Sequence, residues 1–514
     1  MGERTPIALT GDDLTVEDVW AASVEGVRVT LADAARGKMR AARELVERAA
    51  HGAREHTYGV NTGFGRFVNR SIPEELTEEL QLRLLRSHAC GVGEPYADEI
   101  VRAAMLLRAN TLAKGNSGAR IETVELLLEC LERGVLPVVP SRGSVGASGD
   151  LAPLAHLALP LVGEGEAFVA GERLPGFEAL ARVGLEPIRL GAKEGLSLIN
   201  GTQFMAAFLA LGLVRARRLA RAADLACAQS IEALQGSRTS FLPQIHALRP
   251  LRGQGDAAAN VLQLLEGSAI NEAHRWCDKV QDAYSLRCAP QVHGASRDLL
   301  DYADYTVSVE LNAATDNPLV LVDDEALVSN GNFHGQPLAF ALDALAMAVA
   351  ELASISERRV ERLVNPNLSD GLPAFLTTDG GLNSGFMITQ YVAAALVSEN
   401  KVLCHPASVD SIPTSAGQED HVSMGNAGGL KAWQVLSNCE SALAIELLAG
   451  AQAVEFHAPL EPGVGVRATR AAVRALSPRL RDDRSLSPDI EAVADGIRSG
   501  SIQAAVEGEV GALR

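Results

Sequence analysis

LAFALDALAMAVAELASISERRVERLV, residues 338–364, runs for 27 residues without a glycine or a proline. A helix over that span would be about 40 Å long. Alanine and leucine fall on more than one of its faces, so it does not read as a surface helix. It reads as part of the core of a helical bundle, shared between subunits. Two further stretches have the same texture: residues 202–235 contain no proline and only Gly212, and residues 430–449 contain neither breaker. Asp343 and Glu351 interrupt the most apolar stretch, so no transmembrane helix is expected.

Upstream of residue 199 the texture differs. Segments 75–90, 96–113 and 119–133 have helical rhythm, the last with Ile121, Val124, Leu127, Leu128 and Leu131 on one side. Between 159 and 193 glycines and prolines crowd together and mark loops and short strands. We therefore expect a mainly α protein in two parts: 1–199, and a long-helix bundle with a C-terminal helical region over 200–514. The 514 residues carry 64 acidic against 46 basic side chains, a formal charge of −18, which argues against a nucleic-acid partner. Aromatic residues are only 4%, which favours helices over sheets. The seven cysteines are odd in number and none is spaced as CxxC, the pattern of reduced thiols in a cytoplasmic protein. The N-terminus, MGERTPIALTGDDLTVEDVW, is acidic and lacks the basic and apolar regions of a signal peptide.

The chemistry concentrates in SRGSVGASGDLAPLAH, 141–156, where Gly143, Gly146 and Gly149 precede a helix start near Asp150. A phosphate cradle is one reading, but the stretch has no lysine and neither the GxxxxGK[ST] nor the GxGxxG spacing. Taken alone, a plain glycine-rich turn is the commoner meaning. A third reading suits the residue types better. Ala147-Ser148-Gly149 places a serine between small residues, and a glycine nitrogen can reach the carbonyl two residues back when nothing bulky intervenes. Closing Gly149 N onto Ala147 C with loss of two waters gives an imidazolone bearing an electrophilic methylidene. A helix N-terminus behind it would stabilise negative charge.

At this point the chain resembles the aromatic amino-acid ammonia-lyase family, whose members build a 4-methylidene-imidazole-5-one group from Ala-Ser-Gly. The resemblance includes YGVNTGFG (58–65), SHACGVG (87–93), RANTLAKGNSGAR (108–120) and KEGLSLINGTQ (193–203). It continues through QDAYSLRCAPQVHG (281–294), ELNAATDNPLV (310–320), GNFHGQP (331–337) and SIPTSAGQEDHVSMG (411–425). It implies the aspartase/fumarase-like helical architecture. Ser87-His88 and the QEDH at 418–421 are of the histidine-specific type, where phenylalanine- and tyrosine-specific members typically carry other residues. An imidazole substrate wants the polar partners that His88 and Glu419 supply, and a phenyl ring would leave both unpaired. Gly417 departs from the asparagine common in the histidine type.

The family pattern also assigns roles. Tyr58 on its own reads as a buried hydrogen-bonded tyrosine; matched to the family it is the base for the substrate β-proton, and its ordinary value near 10 means that the site must favour the phenolate. Gln281, Tyr284 and Arg287 recur every three residues, one broad face if helical. The resemblance makes Arg287 the bidentate clamp on the substrate carboxylate, with Tyr284 counted among the catalytic set and Gln281 lining the pocket. Asn200, otherwise a helix cap, would bond near the prosthetic group. Phe333, otherwise a core residue, would wall the pocket. Glu419, otherwise in a surface loop, would face the imidazole or share the proton transfer. No metal-ligand spacing is present, and no metal or nucleotide is expected. The implied reaction converts L-histidine to trans-urocanate and ammonia, the first step of histidine degradation. A phenylalanine or tyrosine lyase, or a 2,3-aminomutase, would use the same electrophile. The implied assembly is a homotetramer with sites shared between chains, with no membrane partner.

Overall fold

The computed structural model describes residues 5–51, 58–67 and 69–514. The protein is about 60% helical. Four long helices dominate: Gln203–Ala233, Ala289–Glu310, Gln336–Val364 and Gly425–Val454. At 31 residues the first is about 46 Å long. Gln336–Val364 is long and apolar enough to cross a bilayer, but 72% of its most apolar window is buried within the protein, as in a core helix.

Gly425–Val454 begins five residues before the glycine-free stretch that predicted it. Glycine usually weakens a helix, but here packing selects it. A Cβ at Gly429 would lie 2.6 Å from the Phe208 ring, and one at Gly425 would lie 2.4 Å from Met205 Sδ. At the other end, a Cβ on Gly450 would come within 3.0 Å of Gln229 Cβ. Glycines therefore let this helix lie close against Gln203–Ala233.

The chain divides into two compact units, each drawn from three segments. The first comprises Met1–Val214, Asp304–Asp343 and Pro406–Leu430. The second comprises Arg215–Ala303, Ala344–His405 and Lys431–Arg514. This division is made by contacts, whereas the sequence reading cut the chain in order at residue 199.

In the first unit the helix Asp98–Ala113 is buried over almost its whole length. It packs against Val16–Ser23, Asp33–His51 and Ile121–Glu132. The other helix expected there spans Thr77–His88, entered through a 3₁₀ turn at Glu74–Leu76. The glycine-rich region holds a small antiparallel sheet of Val135–Pro137, Glu166–Val169 and Glu172–Pro175, with Leu136 opposite Phe168 and Phe168 opposite Arg173. Val92–Pro95 pairs with Pro140–Arg142, which leads into the Ala-Ser-Gly loop.

The second unit buries charge. Arg359 pairs with Glu446 at 2.5 Å, Arg215 with Glu440 at 2.9 Å, and Asp224 holds both His293 and Arg297. Buried pairs of this kind constrain register more than they add stability. None of the seven cysteines is in a disulfide.

Candidate active site

The loop between Arg142 and Leu151 is shaped by its glycines. Gly146 and Gly149 have φ of +65° and +75°, the left-handed region. A Cβ at Gly149 would stand 2.1 Å from Gly201 O, and one at Gly146 2.2 Å from Ser423 Oγ. Three other segments hold the loop. Ser423 Oγ donates to Gly146 O at 2.9 Å, Met424 N donates to Val145 O at 2.9 Å, and Asp150 N donates to Gly201 O at 2.7 Å. Ala147 and Gly149 face each other across an isolated antiparallel bridge.

Asp150 follows directly and is fully buried. Its carboxylate accepts from Ser144 Oγ at 2.8 Å and from the amides of Phe204 and Met205 at 3.0 and 3.1 Å. It thereby ties the loop to the N-terminus of Gln203–Ala233, where the helix dipole favours an anion. Burial pushes its carboxyl up to about 6, against those three hydrogen bonds.

Ser148 Oγ donates to Glu419 Oε1 at 3.0 Å. Thr414 Oγ1 donates to the other oxygen, Oε2, at 2.6 Å, and Thr414 and Glu419 also pair through their backbones. Asn200, at the C-terminal cap of Glu194–Ile199, donates from Nδ2 to Ser148 O at 3.3 Å. Its Oδ1 is buried without a hydrogen-bond partner.

These residues border a cavity of about 810 Å³ lined by Tyr58, His88, Ser148, Asn200 and Glu419, with Phe64, Leu80, Leu84 and Leu196 supplying apolar wall. A mostly apolar hollow with a few convergent polar groups is the usual form of a small-molecule site. His88 ends the helix Thr77–His88. Its Nδ1 donates to Leu84 O at 2.9 Å, which leaves Nε2 as an acceptor. Burial holds the imidazole below its ordinary value, so the ring is neutral. Tyr58 meets Phe64 edge to face at 6.1 Å. Burial raises its phenol, the Glu419 carboxylate adds to that rise, and a hydrogen bond with the Gly65 backbone opposes it. Within this chain the neutral phenol is therefore favoured, the opposite of what a phenolate base needs.

Four expected residues do not line this cavity. Phe333 is half-buried in the loop before Gln336–Val364; that loop reaches the glycine loop through Gly335 N, which donates to Gly146 O at 3.3 Å. Gln281, Tyr284 and Arg287 belong to the second unit and line a separate polar hollow of about 610 Å³ there, except that Tyr284 stands outside it, 71% exposed. They are nevertheless one cluster. Arg287 Nη2 donates to Gln281 Oε1 at 3.0 Å, and its guanidinium lies 4.6 Å from the centre of the Tyr284 ring. The helix is shorter than the threefold spacing suggested. It covers only Tyr284–Arg287, because Ala283 is extended at ψ 155°, so Gln281 precedes it and meets Arg287 through the turn.

Sequence reasoning missed Asp150 and Thr414. Both lie inside the quoted blocks, and a carboxylate next to Gly149 was a usable signal for the first. Among the described residues no group of three or more His, Cys, Asp or Glu side chains could hold a metal ion.

Comparison with known proteins places these observations. The model of the aromatic amino acid lyase family matches residues 14–475. The chain is 58% identical to a histidine ammonia-lyase of Gloeobacter violaceus over 507 residues, 99% of this chain and 98% of that one. It superposes on the crystal structure of histidine ammonia-lyase from Trypanosoma cruzi with a TM-score of 0.91 at 46% identity, covering 98% and 96% of the two chains. It superposes on tyrosine aminomutase from Streptomyces globisporus with a TM-score of 0.93 at 39% identity, covering 99% of this chain and all of the other.

Proposed function

The chain belongs to the aromatic amino acid lyase family, and we propose that it removes ammonia from L-histidine to give trans-urocanate, a non-oxidative carbon–nitrogen lyase reaction that opens histidine degradation. One observation carries the reading: Ser148 Oγ, at the tip of the glycine loop, meets the Glu419 carboxylate at 3.0 Å in the cavity that His88 also lines.

The residues present suit a 4-methylidene-imidazole-5-one group made from Ala147, Ser148 and Gly149. Ala147 and Gly149 already face each other. Gly149 stands where no side chain fits, and Asn200 keeps a buried unpartnered oxygen beside the Ser148 carbonyl. The chemistry balances without an oxidant. As Gly149 N bonds to Ala147 C, the Ala147 oxygen leaves as water with the Gly149 and Ser148 amide protons. Ser148 Oγ leaves as a second water with its own proton and the Cα proton. The finished group supplies an electrophilic double bond that no ordinary side chain offers.

The chain's own residues do the rest. Asn200 Nδ2 donates to Ser148 O and stabilises negative charge that gathers on that carbonyl, and the N-terminus of the helix Leu151–Ala158 adds to this. His88 accepts the substrate imidazole N–H at Nε2. Glu419, steadied by Thr414, offers its carboxylate to the imidazole or shares in the proton transfer. Tyr58 takes the β-proton as a phenolate. Burial opposes that form, so the positive charge of the bound substrate ammonium is what favours it. Arg287 grips the substrate carboxylate with its planar fork, Gln281 and Tyr284 beside it, and Phe333 closes the wall.

Since Gln281, Tyr284 and Arg287 line no part of the cavity around Ser148, the reading has them supplied by another chain of a homotetramer. Exposed apolar side chains support the assembly: Ile388, Tyr391, Val392 and Val402 on the helix Met387–Leu403, and Leu382 before it. Surfaces of that kind are rarely left to solvent. The electrophile comes from the chain itself, so the reading calls for no metal or nucleotide. The free cysteines and acidic charge fit a cytoplasmic enzyme without nucleic-acid or membrane partners.

The test is to incubate the protein with L-histidine, follow the conjugated acrylate in the ultraviolet and identify the products. Urocanate with equimolar ammonia is expected. A β-amino acid as the main product would instead favour a 2,3-aminomutase, the activity named for one of the structural neighbours.

A further inference from the structure

Arg108 is a fully buried cation with no carboxylate of its own. It projects from the helix Asp98–Ala113 and is 0% exposed. Its Nη1 donates to Asn200 O at 2.7 Å, while its Nε and Nη2 are buried without a hydrogen-bond partner. The nearby carboxylate, Asp316, is engaged by Lys193 at 2.5 Å, with both side chains fully buried. Burial lowers Arg108 only to about 10, so it stays charged at neutral pH. Removing a guanidinium from water without an ion-pair partner is costly, and such a group calls for a use.

The surrounding backbone is shaped to admit it. Gly201 has φ +156°, and a Cβ there would stand 2.7 Å from Arg108 Nη1. The same two residues, Asn200 and Gly201, hold the Ala-Ser-Gly loop. Asn200 Nδ2 donates to Ser148 O, and Gly201 O accepts from Asp150 N. One guanidinium therefore anchors the turn from which both bonds to the loop are made.

We propose that Arg108 is a positioning residue for the prosthetic loop: it fixes the Asn200–Gly201 turn so that Gly149 N is held toward Ala147 C, and it thereby promotes formation of the imidazolone. The proposal rests on the reading that Ala147-Ser148-Gly149 cyclises. Arg108 does not touch the reacting atoms; it acts through Asn200 and Gly201. The bond that forms is Gly149 N to Ala147 C, with the two waters leaving as described above.

Intact-mass measurement on freshly made full-length protein tests this, with circular dichroism and the thermal midpoint recorded on the same samples. Wild-type protein should read two waters below its encoded mass. Folded Arg108→Met should hold mostly the encoded mass and accumulate the dehydrated form on the order of tenfold to a hundredfold more slowly, as loss of a charge-assisted hydrogen bond implies. Arg108→Lys, which keeps the charge but not the fork, should fall between the two. Wild-type protein at its encoded mass would overturn the cyclisation reading itself. Wild-type protein two waters light together with folded Arg108→Met equally light at the same rate would overturn only the role of Arg108. If Arg108→Met does not fold, Arg108→Lys decides by the same rate comparison. Failure of both to fold would make Arg108 a folding residue and also count against the proposal.

Discussion

Two regions carry the candidate chemistry, and they are built in opposite ways. The loop around Ser148 is largely buried, has left-handed glycines at two positions, and is pinned by hydrogen bonds from Asn200, Ser423 and Met424 and by one that Gly201 accepts. The segment that carries Gln281, Tyr284 and Arg287 is more open: Tyr284 is exposed and Arg287 half-buried on a helix one turn long, tied to Ser237 and Arg359 through Asp282 and Ser285. The first is held from several segments of one chain, as the proposed ring closure between backbone atoms would need. The second carries a guanidinium whose Nε and Nη2 are engaged within the segment, with Tyr284 beside it. The proposed site assembled from more than one chain would join these two unlike regions.

The largest effect should come from Ser148→Ala. It removes the hydroxyl that must leave, so both the two-water mass deficit and turnover should vanish. A variant that keeps either would break the account of the loop. Glu419→Gln comes next. It keeps the shape and the bond to Ser148 but loses the carboxylate, and kcat should fall by about 10²–10⁴-fold if Glu419 takes part in proton transfer. A drop confined to KM would reassign it to imidazole binding.

His88→Leu should cost histidine kcat/KM about 1–3 kcal/mol, the price of an unmade buried hydrogen bond. Full kcat/KM for histidine would remove the main support for the substrate assignment. Because burial holds His88 below its ordinary value, its Nε2 should stay an acceptor as pH falls through about 6.5. Histidine binding that already weakens as the pH is lowered from 9 to 7, and that no longer does so in His88→Leu, would show the ring to be charged instead. Thr414→Val is the smallest change. It frees one oxygen of Glu419 and should lower kcat/KM by about 1 kcal/mol with the fold intact.

Much of this was legible in the chain. Three of the four long helices announced themselves because alanine and leucine without breakers leave little else to form; Ala289–Glu310 did not, since Pro290 and Gly294 lie in its first turns. The start at Gly425 was hidden because glycine argues against a helix until Phe208 and Met205 are known to press on it. The loop 141–156 and its partners Tyr58, His88, Asn200 and Glu419 were legible through motif order, since each motif is local. Thr414 was not, because its value lies in a bond to Glu419 across a turn. Nor was the short helix at Tyr284, whose start depends on the extended Ala283. The interleaving of the two units rests on long-range contacts that no local pattern records.

That the two regions meet in one site across chains is tested most directly by mixing Tyr58→Phe with Arg287→Ala. Each protein alone should be nearly inactive. After co-refolding in equal amounts, about a quarter of the sites should draw both intact residues from different chains, and histidine turnover should return to that fraction of wild type. Hybrid assemblies that form but stay as inactive as the separate variants would contradict the shared site.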